Sequence, residues 1–148
     1  MTDLANKSVL VTGAGGGFGR HMVRQFRAAG SKLILTDVAD EALRGAAGDA
    51  GDALLATFTA DLTSDAGCDA VASLSKAALI ASDSDTPDVL VNNAGMAVFG
   101  RLDHIPQDRW EALMQLNLLA PMRLCSRFLP GMIERGSGHV VNIASIAG

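Results

Sequence analysis

The chain has 148 residues, 49% of them hydrophobic, enough for one domain with a buried core and too few for two. A net charge of -4 leaves no excess of Lys and Arg to neutralise phosphates, which argues against nucleic acid or an anionic membrane as partner. The cysteines Cys68 and Cys125 form no CxxC pair, so no disulfide framework or zinc site is indicated; the apolar run Val9 to Val11 is too brief for a signal core or a membrane span, and a cytoplasmic location is expected.

Lys7 to Thr12 (KSVLVT) is a short, apolar, β-branched run that stops at glycine, as suits a strand buried on both faces. From Phe18 to Ala29, the residues Phe18, Met22, Val23 and Phe26 recur at helical spacing while Arg20, Arg24 and Arg27 face away, and Gly30 supplies a stop. Lys32 to Thr36 (KLILT) is a second strand ending at Asp37, and alanine-rich Asp40 to Ala47 is predicted helical. Leu54 to Thr59 (LLATFT) makes a third strand, closed by Asp61. Ser64 is placed to cap a helix reaching about Ile80, with Val71, Leu74 and Ala78 on one face. The polar stretch Ser82 to Pro87 reads as a surface loop.

Asp88 to Asn92 (DVLVN) is a fourth strand leading into Asn93, Ala94 and Gly95. Pro106 opens a helix carrying Trp110, Leu113, Met114 and Leu116, and Pro121 marks the junction with another helix, Met122 to Arg135, which Gly136 and Gly138 terminate. His139 to Ile143 (HVVNI) is a fifth strand, followed by Ala144 and Ser145. Strands alternating with helices imply an α/β fold: a Rossmann-type, doubly wound parallel sheet with helices on both faces, in a single domain over 1–148. The fifth strand would lie at an edge with one face uncovered, so the domain is expected to be C-terminally truncated, with further strands missing.

The turn Thr12 to Gly19 follows the first strand and opens the first helix. Residues without Cβ atoms let the backbone approach a pyrophosphate, while free N–H groups and the positive end of the helix dipole stabilise its charge. Gly13, Gly15, Gly16, Gly17, Phe18 and Gly19 are therefore candidate cofactor-binding residues. No Lys follows in P-loop fashion. Asp37 closes the second strand, where a carboxylate accepts hydrogen bonds from both ribose hydroxyls and repels a 2′-phosphate, pointing to NAD as the cofactor; the plainer alternative is a solvated carboxylate in a turn.

The turn TGAGGGFG, with glycines spaced as TGxxxGxG, and NNAG at Asn92 to Gly95 resemble the short-chain dehydrogenase/reductase family. Asp61-Leu62, Asn117 within QLNLLAP and Ser145 within VVNIASIAG extend the resemblance from Lys7 to Gly148. It implies that Gly13, Gly17 and Gly19 line the pyrophosphate, that Asp61 and Leu62 meet the adenine, and that Asn93, Ala94 and Gly95 run along the ribose nearer the nicotinamide. NADP-dependent relatives often carry a basic residue where this chain has Gly16 or Asp37, which again favours NAD.

By the same resemblance, Ser145 is the active-site serine whose hydroxyl meets the substrate oxygen, or else simply ends a strand. Asn117 either organises a water in a proton relay or makes a structural hydrogen bond. The family's acid/base is a Tyr with Lys four residues on, and this chain has 0 tyrosines. Two readings follow: an NAD-dependent oxidoreductase moving hydride between NAD(H) and an alcohol or carbonyl substrate, here as its cofactor-binding part and inactive alone; or a noncatalytic NAD-binding or interaction module. The dispersed His21, His104 and His139 suggest no metal. Met96 is the one methionine placed for a pocket, and Trp110 and Leu113 lie on a helix that serves as core or, in family members, as a subunit interface of a homo-oligomer.

Overall fold

The computed structural model describes residues 3–82 and 84–145. Asp83, inside the expected 82–87 loop, and Ile146, Ala147 and Gly148, the end of the NIASIAG stretch, lie outside the described residues. The strands are β1 (Ser8–Thr12), β2 (Lys32–Asp37), β3 (Leu54–Thr59), β4 (Val89–Asn92) and β5 (His139–Asn142). They form one five-stranded sheet in the order β3-β2-β1-β4-β5, with every pairing parallel. The helices are α1 (Gly17–Ala28), α2 (Asp40–Ala50), α3 (Asp65–Leu79), α4 (Gln107–Met114) and α5 (Ala120–Glu134).

Side chains alternate across the strands, so each strand feeds two cores. Val9, Val11, Leu33, Leu35 and Val91 pack with Val23 of α1 and Leu43, Ala46 and Ala50 of α2. Leu10, Ile34 and Leu90 face the other way, onto Cys68, Val71 and Leu79 of α3 and Leu124, Phe128 and Met132 of α5. Every residue of β1 is buried, which is why that strand reads as an unbroken apolar run. At the edge, β5 is largely exposed, with Val141 and Ile143 each 40% accessible.

Two elements depart from the sequence reading. Helix α2 runs three residues past the expected Ala47, to Ala50, because burial of Ala46 and Ala50 outweighs the low helix propensity of Gly45 and Gly48; it stops where Gly51 takes φ +56. No break occurs at Pro121. Helix α4 passes through a π turn, Gln115–Leu119, directly into α5, and Pro121 occupies the first turn of α5. Pro121 has no N–H to offer the Asn117 carbonyl in the i→i+4 pattern, and the widened turn bonds i→i+5 instead, as from Ala120 N–H to Gln115 O.

The sheet is pinned at its base between β1 and β4. Asp88 accepts from the Ser8 N–H (2.9 Å) and hydroxyl (2.9 Å), and the Ser8 hydroxyl accepts from the Asp88 N–H (3.0 Å). Burial pushes the Asp88 carboxyl up, but the Ser8 hydrogen bonds and the charges of Lys7 and Arg135 outweigh it and hold it below its ordinary value. A folded-state pKa below the unfolded one gives stability that is present above the unfolded value and lost as pH falls through the folded one. Asp88→Asn is therefore expected to lower stability by about 1 kcal/mol at neutral pH. The two proteins should converge in acid below the carboxylate range; thermal melts across pH check this, and a gap that persists in strong acid would refute it.

Candidate functional site

The crossover after β1 runs to one face of the sheet and that after β4 to the other, so the loops leaving these neighbours part at the C-terminal edge, where doubly wound sheets bind ligands. A cleft of about 500 Å³ opens there. Gly13, Gly16, Gly17, Phe18 and Gly19 line it from the first loop, Asp37 and Val38 from the end of β2, and Ala60, Asp61, Leu62 and Thr63 from beyond β3. Asn93, Ala94, Gly95 and Leu116 complete the wall.

One hydroxyl joins the two loops. Thr12, 1% exposed at the end of β1, donates to Val91 O (3.3 Å) and accepts from the N–H groups of Asn93 (3.0 Å) and Ala94 (2.9 Å). Asn93 returns the contact, its side-chain amide donating to Thr12 O (2.9 Å) and Gly13 O (3.0 Å). Gly13 sits at φ +61, and a Cβ there would come within 2.8 Å of Ala94 Cα, so both backbone conformation and the facing loop exclude a side chain.

The other glycines divide by what surrounds them. A Cβ on Gly19 would overlap the Gly13 carbonyl oxygen and lie 2.8 Å from Ala14 Cα, so this glycine lets α1 approach β1. A Cβ on Gly17 would meet nothing within 4 Å. Helix α1 starts with Gly16 as its N-cap, with no side-chain cap and no acidic residue in its first turn. The helix therefore presents its N–H groups and positive dipole end at the cleft without a side-chain cap.

Asp37 is tied into this wall. Its Oδ2 accepts from Gly15 N–H (2.9 Å) and its Oδ1 from Ala39 N–H (3.0 Å), leaving further lone pairs on both oxygens. Gly15 thus spends its N–H on Asp37 and packs against Ala42, where a Cβ would come within 2.7 Å of the Ala42 Cβ; it supports the wall from behind. Beyond β3, Asp61 accepts from the Thr63 N–H (2.9 Å) and hydroxyl (2.7 Å), and Leu62 is 4% exposed. Cys68 lies beneath, its thiol donating to Leu62 O (3.6 Å), and burial pushes that thiol's pKa up.

Asn117 stands in the π turn, its Oδ1 accepting from Met96 N–H (2.9 Å) and its Nδ2 donating to Met96 O (2.8 Å). Both ends of the amide hold the loop that follows Gly95. Ser145 is exposed, three residues past β5 and so at the same edge of the parallel sheet. Asn92 fixes β5 nearby, donating to Asn142 Oδ1 (2.8 Å). Of the residues expected in the site, Gly15, Met96, Asn117 and Ser145 are not among the described residues that line the cleft.

Val38, Ala60, Thr63 and Leu116 in the lining, and Thr12 beneath it, were not singled out from sequence as site residues. Only Thr12 carried a signal, as a hydroxyl at the buried end of a strand that needs partners. A second hollow, at the opposite end of the sheet, is lined by Arg24 and Arg27, which pair with Asp49 and Asp52. Among the described residues, no helix is long and apolar enough to cross a membrane.

The short chain dehydrogenase profile matches residues 7–148. Dehydrogenase/reductase SDR family member 7B of Mus musculus is 38% identical over 153 residues, an alignment covering 98% of this chain and 45% of the mouse protein. The structure of 3-ketoacyl-(acyl-carrier-protein) reductase from Brucella melitensis, complexed with NADH, has a TM-score of 0.84 at 31% identity, over 96% of this chain and 58% of that one. L-Sorbose reductase from Gluconobacter frateurii, complexed with NADPH and L-sorbose, has a TM-score of 0.86 at 26% identity, over 98% of this chain and 55% of that one. The chain spans about half the length of these relatives.

Proposed function

Because the chain belongs to the short-chain dehydrogenase/reductase family, we propose that it is the cofactor-binding part of an NAD-dependent oxidoreductase acting on a small alcohol or carbonyl substrate. The observation that carries this reading is the convergence on one cleft of the uncapped start of α1, the open space at Gly17 and the Asp37 carboxylate. These residues fit a dinucleotide. Gly13, Gly16, Gly17, Phe18 and Gly19 would hold the pyrophosphate, with Gly15 bracing Asp37 behind them. Asp37 would accept the ribose hydroxyls, Asp61 and Leu62 would meet the adenine, and Asn93, Ala94 and Gly95 would line the way to the nicotinamide.

When bound, the nicotinamide ring supplies or accepts the hydride. The Ser145 hydroxyl would donate to the substrate oxygen and stabilise charge as it develops, and Asn117 would keep the loop at Met96 in place beside it. No tyrosine of this chain can move the substrate proton, since there are 0. A second reading is a noncatalytic NAD-binding module. A Tyr-x-x-x-Lys encoded downstream of Gly148 decides for the enzyme. In full-length form a homo-oligomer is proposed, supported by the exposed Trp110, Met114, Leu118 and Met122 along α4, the π turn and α5. The cytoplasm is its proposed location.

Relatives of this fold have been solved with NADH and with NADPH, so the choice of NAD rests on Asp37 and on Gly16 standing where a basic residue would be. The Asp37 charge, aimed into the cleft, repels a 2′-phosphate. Wild type is expected to bind NADH more tightly than NADPH, and Asp37→Ala to weaken NADH about tenfold while the preference collapses. Fluorescence titration with both cofactors checks this. Tighter binding of NADPH by wild type, with a ratio unchanged in Asp37→Ala, would sink the reading.

A further inference from the structure

The wall of the cleft beyond β3 is a short turn held from within by Asp61 and from outside by α5. Arg123 donates from Nη1 to Thr63 O (3.3 Å), and its Nε lies 3.5 Å from Asp65 Oδ1. Arg127, four residues on, donates to Arg123 O (2.9 Å) and pairs with Asp65 (2.7 Å) and Asp69 (2.7 Å). Two arginines thus face two carboxylates of α3, and their charge is compensated there. Neither arginine lines the cleft among the described residues. What reaches the cleft is only the contact to Thr63 O, the backbone carbonyl at the far end of the Asp61 turn.

We propose that Arg123 is a positioning residue for purine recognition: by holding Thr63 O it fixes the Asp61–Thr63 turn, and with it the direction of the Asp61 carboxylate. This rests on the dinucleotide reading above and adds to it a determinant outside the cleft. The chemistry gives a sharp readout. Adenine carries a 6-amino donor, whereas hypoxanthine carries a 6-oxo acceptor, so a carboxylate held at that edge favours the first and repels the second. The internal hydrogen bonds between Asp61 and Thr63 keep the turn's shape, but they do not anchor it to the rest of the domain. Leu62, buried against Cys68 of α3, and the Ser64 hydroxyl on the Asp61 carbonyl hold the first part of the turn, and Arg123 adds the anchor from α5 at its Thr63 end.

The test is to titrate the whole chain with NADH and with reduced nicotinamide hypoxanthine dinucleotide. The ratio of the two affinities is taken within each protein, so a general loss of stability cancels. Wild type should prefer NADH; Arg123→Met, which keeps the aliphatic stem but no donor, should cut the ratio about three- to fivefold. Arg123→Lys, which keeps a charged donor, should retain the ratio within about twofold. Should the Met variant fail to fold, Arg123→Gln, too short to reach Thr63 O, gives the same comparison. An unchanged ratio in the Met or Gln variant, or a wild type that binds both dinucleotides equally, overturns the positioning role and leaves the cofactor reading standing. A wild type that binds no NADH overturns both.

Discussion

Gly17→Ala should keep its stability and weaken cofactor binding, whereas Gly19→Ala should weaken both. At Gly17 a methyl group enters empty space at the start of α1, so stability should stay within about 1 kcal/mol of wild type, Ala being the better helix former. The same methyl occupies the approach to the helix N–H groups, and NADH affinity should fall about tenfold or more. At Gly19 the methyl meets the Gly13 carbonyl oxygen and the Ala14 backbone, which cannot swing aside as a flexible side chain would. A loss of about 3 kcal/mol is expected, a drop in melting temperature of about 10 °C. Thermal melts paired with NADH titrations separate the two variants. Wild-type affinity in Gly17→Ala would remove the pyrophosphate cradle from that position, and wild-type stability in Gly19→Ala would remove the packing argument.

Thr12→Val is the second large effect, and it comes from a residue that is nearly isosteric with its replacement. The hydroxyl of Thr12 is the acceptor for two backbone N–H groups, those of Asn93 and Ala94, in a site where Thr12 itself is 1% exposed. Valine fills the same volume and accepts nothing, leaving both donors without that partner; a loss of about 2–4 kcal/mol follows. Thr12→Ser keeps the acceptor and gives up only a buried methyl, for about 1 kcal/mol. Urea unfolding of the two variants gives the comparison. Equal stabilities would mean that the N–H groups of Asn93 and Ala94 find another acceptor and that the hydroxyl does not hold the loops together.

Most of the architecture could be read from residue order because local and long-range preferences agree in the first half of the chain. Lys7 to Thr12, the glycine turn and the amphipathic stretch after it each specify the same βα unit, and Ser64 caps α3 as expected, its hydroxyl accepting from the Gly67 N–H (3.0 Å). The later helices are harder because Pro121 has two consistent meanings. It ends a helix if its missing N–H is left uncompensated, and it continues one if the preceding turn widens, and only the packing of Ala120, Leu124 and Phe128 against the sheet selects the second. The site divides in the same way. Glycines and Asp37 announce themselves by position, but nothing local in Asn117 predicts that both ends of its amide close on Met96, 21 residues earlier. The links from Thr12 to Asn93 and from Thr63 to Arg123 span 81 and 60 residues, and no sequence period records them.

The π turn at Gln115–Leu119 acts as a phase shifter between α4 and α5. Each residue of an α-helix advances the azimuth by roughly 100°, so one surplus residue absorbed in a wide turn re-indexes everything after it by about that angle. The segment sets the rotational register of α5 against α4. Deleting a single residue there would rotate one helix against the other, taking either the Asn117 grip on Met96 or the Leu124–Phe128 face out of alignment. A change of chain length between the Met96 loop and the sheet-facing side of α5 therefore disturbs both contacts at once, whereas a substitution within it acts only where it falls.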